Sequence, residues 1–208
     1  DVVNAGSGND TLEGSLGNDT LDGGDGTDLL DLSDADGVNV DLGAGTAQSD
    51  AFGSDSVSNI ENVTGSAGDD IITGSADVNE IDGGAGNDTL DGAAGDDTVS
   101  AGDGDDTVLA GAGDDTLAGG DGTDTLDMDG AAGAVVDLEA GTASSTDTGS
   151  DAISGFENVI GSDGDDVITG SDDDNAISSG GGDDTVDGGA GDDTLDGGAG
   201  DDVLNFEA

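Results

Sequence analysis

The sequence of 208 residues contains no lysine, arginine, histidine, cysteine, proline, tyrosine or tryptophan. Without cysteine, it can form neither disulfides nor thiolate metal sites, and without histidine as well, zinc and copper sites are not expected. The lack of basic side chains argues against binding to nucleic acid or to anionic lipid. No apolar run is long enough to cross a bilayer, so direct membrane insertion is not expected either.

The residues that are present are mainly acids and glycines. The chain has 52 Asp and Glu residues, 43 glycines and only three aromatic residues, with a formal net charge of −52. Self-repulsion of this size opposes a compact state unless cations supply counter-charge, and oxygen-only ligands suit hard cations such as Ca²⁺. On composition alone, an acidic disordered tail is an equal alternative.

The sequence repeats with a fixed period of nine residues, which favours a folded chain over an acidic disordered tail. Residues 83–127 divide into GGAGNDTLD, GAAGDDTVS, AGDGDDTVL, AGAGDDTLA and GGDGTDTLD, with Asp at position six and an aliphatic residue at position eight. A repeat this short cannot bury an apolar face alone, so its copies must stack into a solenoid. Each repeat is predicted to be a six-residue glycine-rich loop followed by a three-residue strand.

The whole chain, 1–208, is predicted to be a single solenoid. It contains tracts of three, seven and five repeats at 5–31, 65–127 and 161–205, separated by 33-residue spacers at 32–64 and 128–160. The two spacers match each other at a shift of 96 residues, so the higher-order unit is a 96-residue cassette. Each spacer has two β-like runs, which predicts wider coils that continue the solenoid.

The nonapeptide resembles the RTX (repeats-in-toxin) pattern G-G-x-G-x-D-x-U-x. The resemblance implies an all-β, right-handed parallel β-roll in which Ca²⁺ is held between stacked loops by position-six carboxylates and loop carbonyls. The implied carboxylate ligands are Asp10, Asp19, Asp28, Asp70, Asp88, Asp97, Asp106, Asp115, Asp124, Asp166, Asp184, Asp193 and Asp202. The implied carbonyl donors include those of Gly83, Gly84, Gly86, Gly119, Gly120, Gly122, Gly188, Gly189 and Gly191.

Two loops depart from the pattern in the same way. Repeats 74–82 and 170–178 have Asn79 and Asn175 at position six, and Asp77 and Asp173 where the fourth-position glycine belongs. Weaker, altered or absent calcium binding is expected there. If each ion needs two loops on the same side, the three tracts offer roughly nine or more calcium sites.

The sequence has no His, Cys, Lys, Arg or Tyr, and the repeat explains its carboxylate pairs, so no enzymatic activity is expected. The resemblance implies a calcium-binding structural segment of a secreted or cell-surface bacterial protein, such as an adhesin stalk or a surface-layer protein, exported through type I secretion machinery. The alternative is a C-terminal folding and secretion module of a secreted protease, lipase or alginate epimerase.

Other copies of the chain or a cell surface are further candidate partners. An ice-binding role is disfavoured because position three carries no threonine ladder.

Overall fold

The computed structural model describes residues 1–206, which form an all-β roll of about 11 turns with two twelve-stranded sheets. The first half contains β1 (Val2–Ser7), β2 (Thr11–Glu13), β3 (Thr20–Asp25), β4 (Leu29–Asp31), β5 (Asn39–Asp41), β6 (Thr46–Ser49), β7 (Gly53–Ser58), β8 (Asn62–Thr64), β9 (Ile71–Ser75), β10 (Glu80–Ala85), β11 (Thr89–Ala93) and β12 (Thr98–Asp103). The second half contains β13 (Thr107–Leu109), β14 (Thr116–Asp121), β15 (Thr125–Asp127), β16 (Val135–Asp137), β17 (Thr142–Ser145), β18 (Gly149–Ser154), β19 (Asn158–Ile160), β20 (Val167–Ser171), β21 (Ala176–Ser178), β22 (Thr185–Gly189), β23 (Thr194–Asp196) and β24 (Val203–Asn205). No helix in this part of the chain is long and apolar enough to cross a membrane.

Each nonapeptide contributes one strand, and successive repeats alternate between the two sheets. Strands of the same sheet therefore pair in parallel with a register of 18 residues, as in Thr98↔Thr116 and Val99↔Leu117. The first sheet runs β1-β3-β7-β6-β5-β9-β11-β13-β15-β19-β21-β23, and the second runs β2-β4-β8-β10-β12-β14-β18-β17-β16-β20-β22-β24. The predicted parallel β-roll is confirmed.

One continuous core lies between the two sheets. It is built from the aliphatic side chain at position eight, as in Leu90, Val99 and Leu117, each no more than 1% exposed. Position one also points inward, since Ala101 and Ala110 are buried in the same core. The core is therefore one aliphatic side chain per repeat plus a small residue that leaves room for it.

The spacers continue the roll but add a feature that the sequence did not predict. In the first spacer, β5, β6 and β7 form an antiparallel meander within the first sheet, and β8 continues the second sheet. In the second spacer, β16, β17 and β18 form the same meander within the second sheet, and β19 continues the first. The antiparallel strands β6 and β17 break the otherwise parallel order.

The two meanders lie on opposite sheets because the 96-residue cassette contains an odd number of nonapeptides. Seven repeats separate the spacers, and each repeat moves the chain to the other sheet. A meander places three strands opposite one, so it lengthens its sheet locally by about 10 Å at ~4.8 Å per strand. The second spacer adds the same length to the other sheet, so the two sheets again have equal numbers of strands.

Two of the three phenylalanines pack in the core. Phe52 and Phe156 are each 6% exposed and pack in the spacer core. Phe206 is 63% exposed. It follows the last strand, β24, where no further coil of the described chain covers it.

Truncation of a position-eight side chain should destabilise the roll. The change Leu117→Ala removes a side chain that is 1% exposed in the centre of the core. We expect the free energy of unfolding in saturating calcium to fall by about 2–5 kcal/mol because a cavity remains. Thr116→Ala, at the neighbouring exposed position, should cost less than about 1 kcal/mol. Urea unfolding followed by circular dichroism compares the two, and equal losses would contradict this account of the core.

Candidate metal centre

The position-six residues form two hydrogen-bonded ladders, one along each edge of the roll. In each ladder, the backbone N–H of one residue donates to the side-chain oxygen of the residue 18 positions later. On one edge, the N–H of Asp70 donates to Oδ1 of Asp88 at 2.8 Å, and that of Asp88 to Oδ1 of Asp106 at 2.7 Å. On the other edge, the N–H of Asp97 donates to Oδ1 of Asp115 at 2.7 Å. These position-six ladders place one carboxylate above another at each turn of the roll, which is 18 residues long.

The structure brings the predicted residues together in these two rows. The edge that precedes the strands of the first sheet contains Asp19, Asp70, Asp88, Asp106, Asp124, Asn175 and Asp193. The edge that precedes the strands of the second sheet contains Asp10, Asp28, Asn79, Asp97, Asp115, Asp166, Asp184 and Asp202. Each predicted side chain therefore has neighbours of the same kind above or below it.

The second carboxylate oxygen is the feature that points to a cation. Asp88, Asp106 and Asp124 are at most 2% exposed, and Oδ1 of each accepts the ladder bond while Oδ2 has no hydrogen-bond partner within residues 1–206. The buried Oδ2 atoms without a hydrogen-bond partner in the described residues are those of Asp10, Asp28, Asp55, Asp88, Asp97, Asp106, Asp124, Asp151 and Asp184. A buried carboxylate oxygen without a partner is costly, so these rows favour the binding of a cation or a proton.

Backbone carbonyls face the same inter-loop space. A Cβ atom added to Gly83 would lie 2.5 Å from Oδ2 of Asp88 and 2.6 Å from the carbonyl oxygen of Ala101. A Cβ atom on Gly102 would lie 2.1 Å from the carbonyl oxygen of Gly84. No group of three or more acidic side chains in the described chain is placed to hold a metal ion by itself, so backbone carbonyls would have to complete a site. This donor set, all oxygen and anionic, fits Ca²⁺, which would supply the missing counter-charge.

The residue at position two divides the loops into two types. In the first type, position two has a positive φ, as Gly84 does at 106°, and Oδ2 of the position-six Asp has no partner within the described residues. In the second type, position two is serine. Ser66 donates its N–H to Oδ2 of Asp70 at 2.6 Å and its hydroxyl to Oδ1 at 2.8 Å. Ser162 binds Asp166 in the same way at 2.7 and 2.6 Å. In these serine-capped loops, both carboxylate oxygens are already hydrogen bonded.

The two asparagine loops are serine-capped as well. Oδ1 of Asn79 accepts the N–H of Ser75 at 2.6 Å, and its Nδ2 donates to the carbonyl oxygen of Glu61 at 2.7 Å. Asn175 repeats both contacts, with Ser171 at 2.7 Å and Glu157 at 2.8 Å. An asparagine supplies a polar hydrogen at a place where an aspartate would need a cation, which explains its use beside the spacers.

The ladders include spacer residues that the sequence analysis did not identify. The N–H of Asp28 donates to Oε2 of Glu61 at 2.9 Å, and that of Asp124 to Oε2 of Glu157 at 2.8 Å. Only three residues separate the strands β7 and β8, so the longer glutamate side chain reaches the ladder from a shortened loop. The sequence did contain a signal, since Glu61 and Glu157 are 96 residues apart.

The acids at position five form a second, exposed ladder. They are exposed, and their side chains accept hydrogen bonds from the next loop in the stack. The N–H of Asn87 donates to Oδ1 of Asp69 at 2.9 Å, and the N–H of Asp105 donates to Oδ1 of Asn87 at 3.0 Å. This ladder runs in the opposite sense to the position-six ladder, so adjacent loops are tied in both directions.

Burial changes the acidity of the position-six carboxyls. Desolvation raises the pKa of Asp88, Asp115, Asp124 and Asp151 to about 6, and it is opposed by the ladder hydrogen bond that each carboxylate accepts. Nearby acids of the same row raise the pKa further, as Asp70 and Asp106 do for Asp88. Protons and cations therefore compete for the same oxygens.

The calcium-free chain should gain structure on acidification. A carboxyl whose pKa is about 6 when folded and about 3.9 when unfolded stabilises the fold fully below pH ~4, and this stabilisation is lost as the pH rises through 6. Far-UV circular dichroism in calcium-free buffer between pH 7 and 4 measures the effect. The control is the triple variant Asp88→Asn, Asp115→Asn, Asp124→Asn, which changes three of 52 acids and should respond less steeply. An identical pH profile for both chains would contradict the assignment to these carboxyls.

Comparison with known families agrees with this geometry. The chain matches the profile described as RTX calcium-binding nonapeptide repeat (4 copies) over residues 1–34, 58–90, 91–126, 147–186 and 178–208. The unmatched residues 35–57 and 127–146 contain the antiparallel strands β6 and β17. No curated protein matches the chain. The matched ranges cover most of the sequence, and the chain belongs to the RTX calcium-binding nonapeptide-repeat family.

Proposed function

We propose that this calcium-binding RTX segment is a structural part of a secreted or cell-surface bacterial protein, of the adhesin-stalk or surface-layer type. The observation that carries the proposal is the row of buried, unpartnered Oδ2 atoms along each edge of the described roll. With no basic side chain in the sequence, only ions from solution can neutralise them. The fold itself is then the product of calcium binding.

Binding and folding are linked because the sites exist only in the folded chain. Ions that bind only the folded state stabilise it by mass action. Calcium sites of extracellular modules typically have dissociation constants of roughly 10⁻⁴–10⁻³ M, so cytosolic calcium leaves such sites empty. The chain would stay unfolded inside the cell, pass through the type I secretion machinery in that state and fold outside.

The cassette architecture favours a stalk or an array over an attached module. Each 96-residue cassette adds seven repeats and a spacer to the same roll without a change of core. The two sheets gain equal numbers of strands over two successive spacers. Tandem cassettes would therefore lengthen the roll while its two sheets stay matched in length.

Calcium should convert the chain from coil to β-structure. We expect a cooperative change in the far-UV circular dichroism spectrum near millimolar Ca²⁺, and no such change with Mg²⁺, which needs a smaller octahedral site. A spectrum that remains coil-like in about 10 mM Ca²⁺, the order at which weak extracellular sites fill, would overturn the proposal.

The two loop types should differ in calcium stoichiometry. Asp106→Asn removes a carboxylate whose Oδ2 is unpartnered in the described chain, whereas Asp70→Asn changes a side chain that Ser66 already binds. Both residues lie in the same ladder, and asparagine keeps the ladder acceptor. We expect Asp106→Asn to lose at least one bound ion in equilibrium dialysis or titration calorimetry, and Asp70→Asn to lose none. Equal losses would refute the division of the loops.

A further inference from the structure

Each spacer contains most of an additional, hidden repeat. Gly53–Ser58 reads GSDSVS and Gly149–Ser154 reads GSDAIS, which match positions four to nine of the nonapeptide, with Asp55 and Asp151 at position six. The first three positions do not match, because the chain arrives from an antiparallel strand instead of a preceding parallel coil.

The hidden repeats stack on the preceding tract as true repeats do. The N–H of Asp19 donates to Oδ1 of Asp55 at 2.8 Å, and the N–H of Asp115 donates to Oδ1 of Asp151 at 3.1 Å. The strands keep the repeat register, with Leu21 opposite Val57 and Leu117 opposite Ile153. The residues involved are 36 positions apart instead of 18.

The loop backbone is also that of a repeat. Gly53 and Gly149 have positive φ values of 111° and 93°, as position-four glycines do elsewhere. A Cβ atom on Gly53 would lie 2.3 Å from the carbonyl oxygen of Gly17, and one on Gly149 would lie 2.2 Å from that of Gly113. A carbonyl of the preceding tract therefore faces each spacer loop.

The carboxylates of both hidden repeats have a free buried oxygen. Asp55 is 3% exposed and Asp151 is 4% exposed. Within residues 1–206, Oδ2 of each has no hydrogen-bond partner, while Oδ1 accepts the ladder bond. Unlike Asp70 and Asp166, neither has a serine cap in the described chain that could replace a cation.

We propose that Asp55 and Asp151 are each a ligand of a further divalent cation, Ca²⁺, held between the spacer loop and the loop of the preceding tract on which it stacks, that of Asp19 or Asp115. This inference rests on the proposed calcium-binding function and extends it from the nonapeptides into the spacers. Each spacer then has two different junctions. An ion joins it to the tract before it, and serine-capped hydrogen bonds, such as those of Ser66 and Ser162, join it to the tract after it.

The test counts ions in matched variants. Asp55→Asn and Asp151→Asn keep the ladder acceptor but remove the anionic ligand, and the chain itself uses asparagine in this position at Asn79 and Asn175. The controls are Asp50→Asn and Asp147→Asn, which remove the same charge from exposed positions of the same spacers. By calorimetry and equilibrium dialysis in saturating Ca²⁺, we expect each ladder variant to bind one ion fewer than its control. Equal stoichiometry and affinity would overturn the proposal.

A second measurement uses the unaltered chain, so it does not depend on the folding of a variant. Crystals grown with Ca²⁺ and exchanged with Tb³⁺ should show anomalous density within about 2.3–2.6 Å of Oδ2 of Asp55 and Asp151. Density in the nonapeptide loops but not at these two residues would overturn this inference alone. An absence of bound metal from every loop would overturn the proposed function as well.

Discussion

The constraint on which this structure depends is the burial of carboxylates in a chain without a cationic side chain. A solenoid of nine-residue coils places the position-six side chains of alternate repeats directly above one another, and Asp88, Asp106 and Asp124 are all at most 2% exposed. Like charges stacked in this way oppose folding, and the ladder hydrogen bonds satisfy only one oxygen of each. The other oxygen makes the fold conditional on cations, protons or a local substitute.

The spacers interrupt the nine-residue repeat, but both sheets and the core remain continuous through them. Each meander fills one sheet with an antiparallel strand, β6 or β17, while the other sheet continues with a single strand. Beside the spacers, glutamate, asparagine and serine take the place of the repeated aspartate and glycine. Asn79 has both its side-chain oxygen and its side-chain nitrogen hydrogen bonded, to Ser75 and to the Glu61 carbonyl. The loops that follow the spacers are thus those whose position-six side chains are capped by serine within the described chain.

The cores of the spacers and the tracts differ as well. The spacer core contains the only large aromatic side chains that are buried in the described chain, Phe52 and Phe156, next to loops whose carboxylates are hydrogen bonded to serine. The core of a uniform tract is built from one position-eight aliphatic side chain per repeat. Apolar burial per residue is therefore larger in the spacers than in the tracts.

The sequence alone determined the periodic part of this protein. The aspartate and the aliphatic residue at fixed positions of nine are sufficient for the loops, the strands and their stacking into a solenoid, because stacking identical coils repeats every local contact. The resemblance to the RTX pattern added the parallel β-roll and the rows of candidate ligands. Only the tertiary structure decided where the period fails. It placed β6 and β17 antiparallel, assigned the two meanders to opposite sheets, and added Asp55, Asp151, Glu61 and Glu157 to the ladders. These contacts join residues 33 or 36 apart, so they follow from the path of the chain through three dimensions and not from a nine-residue register.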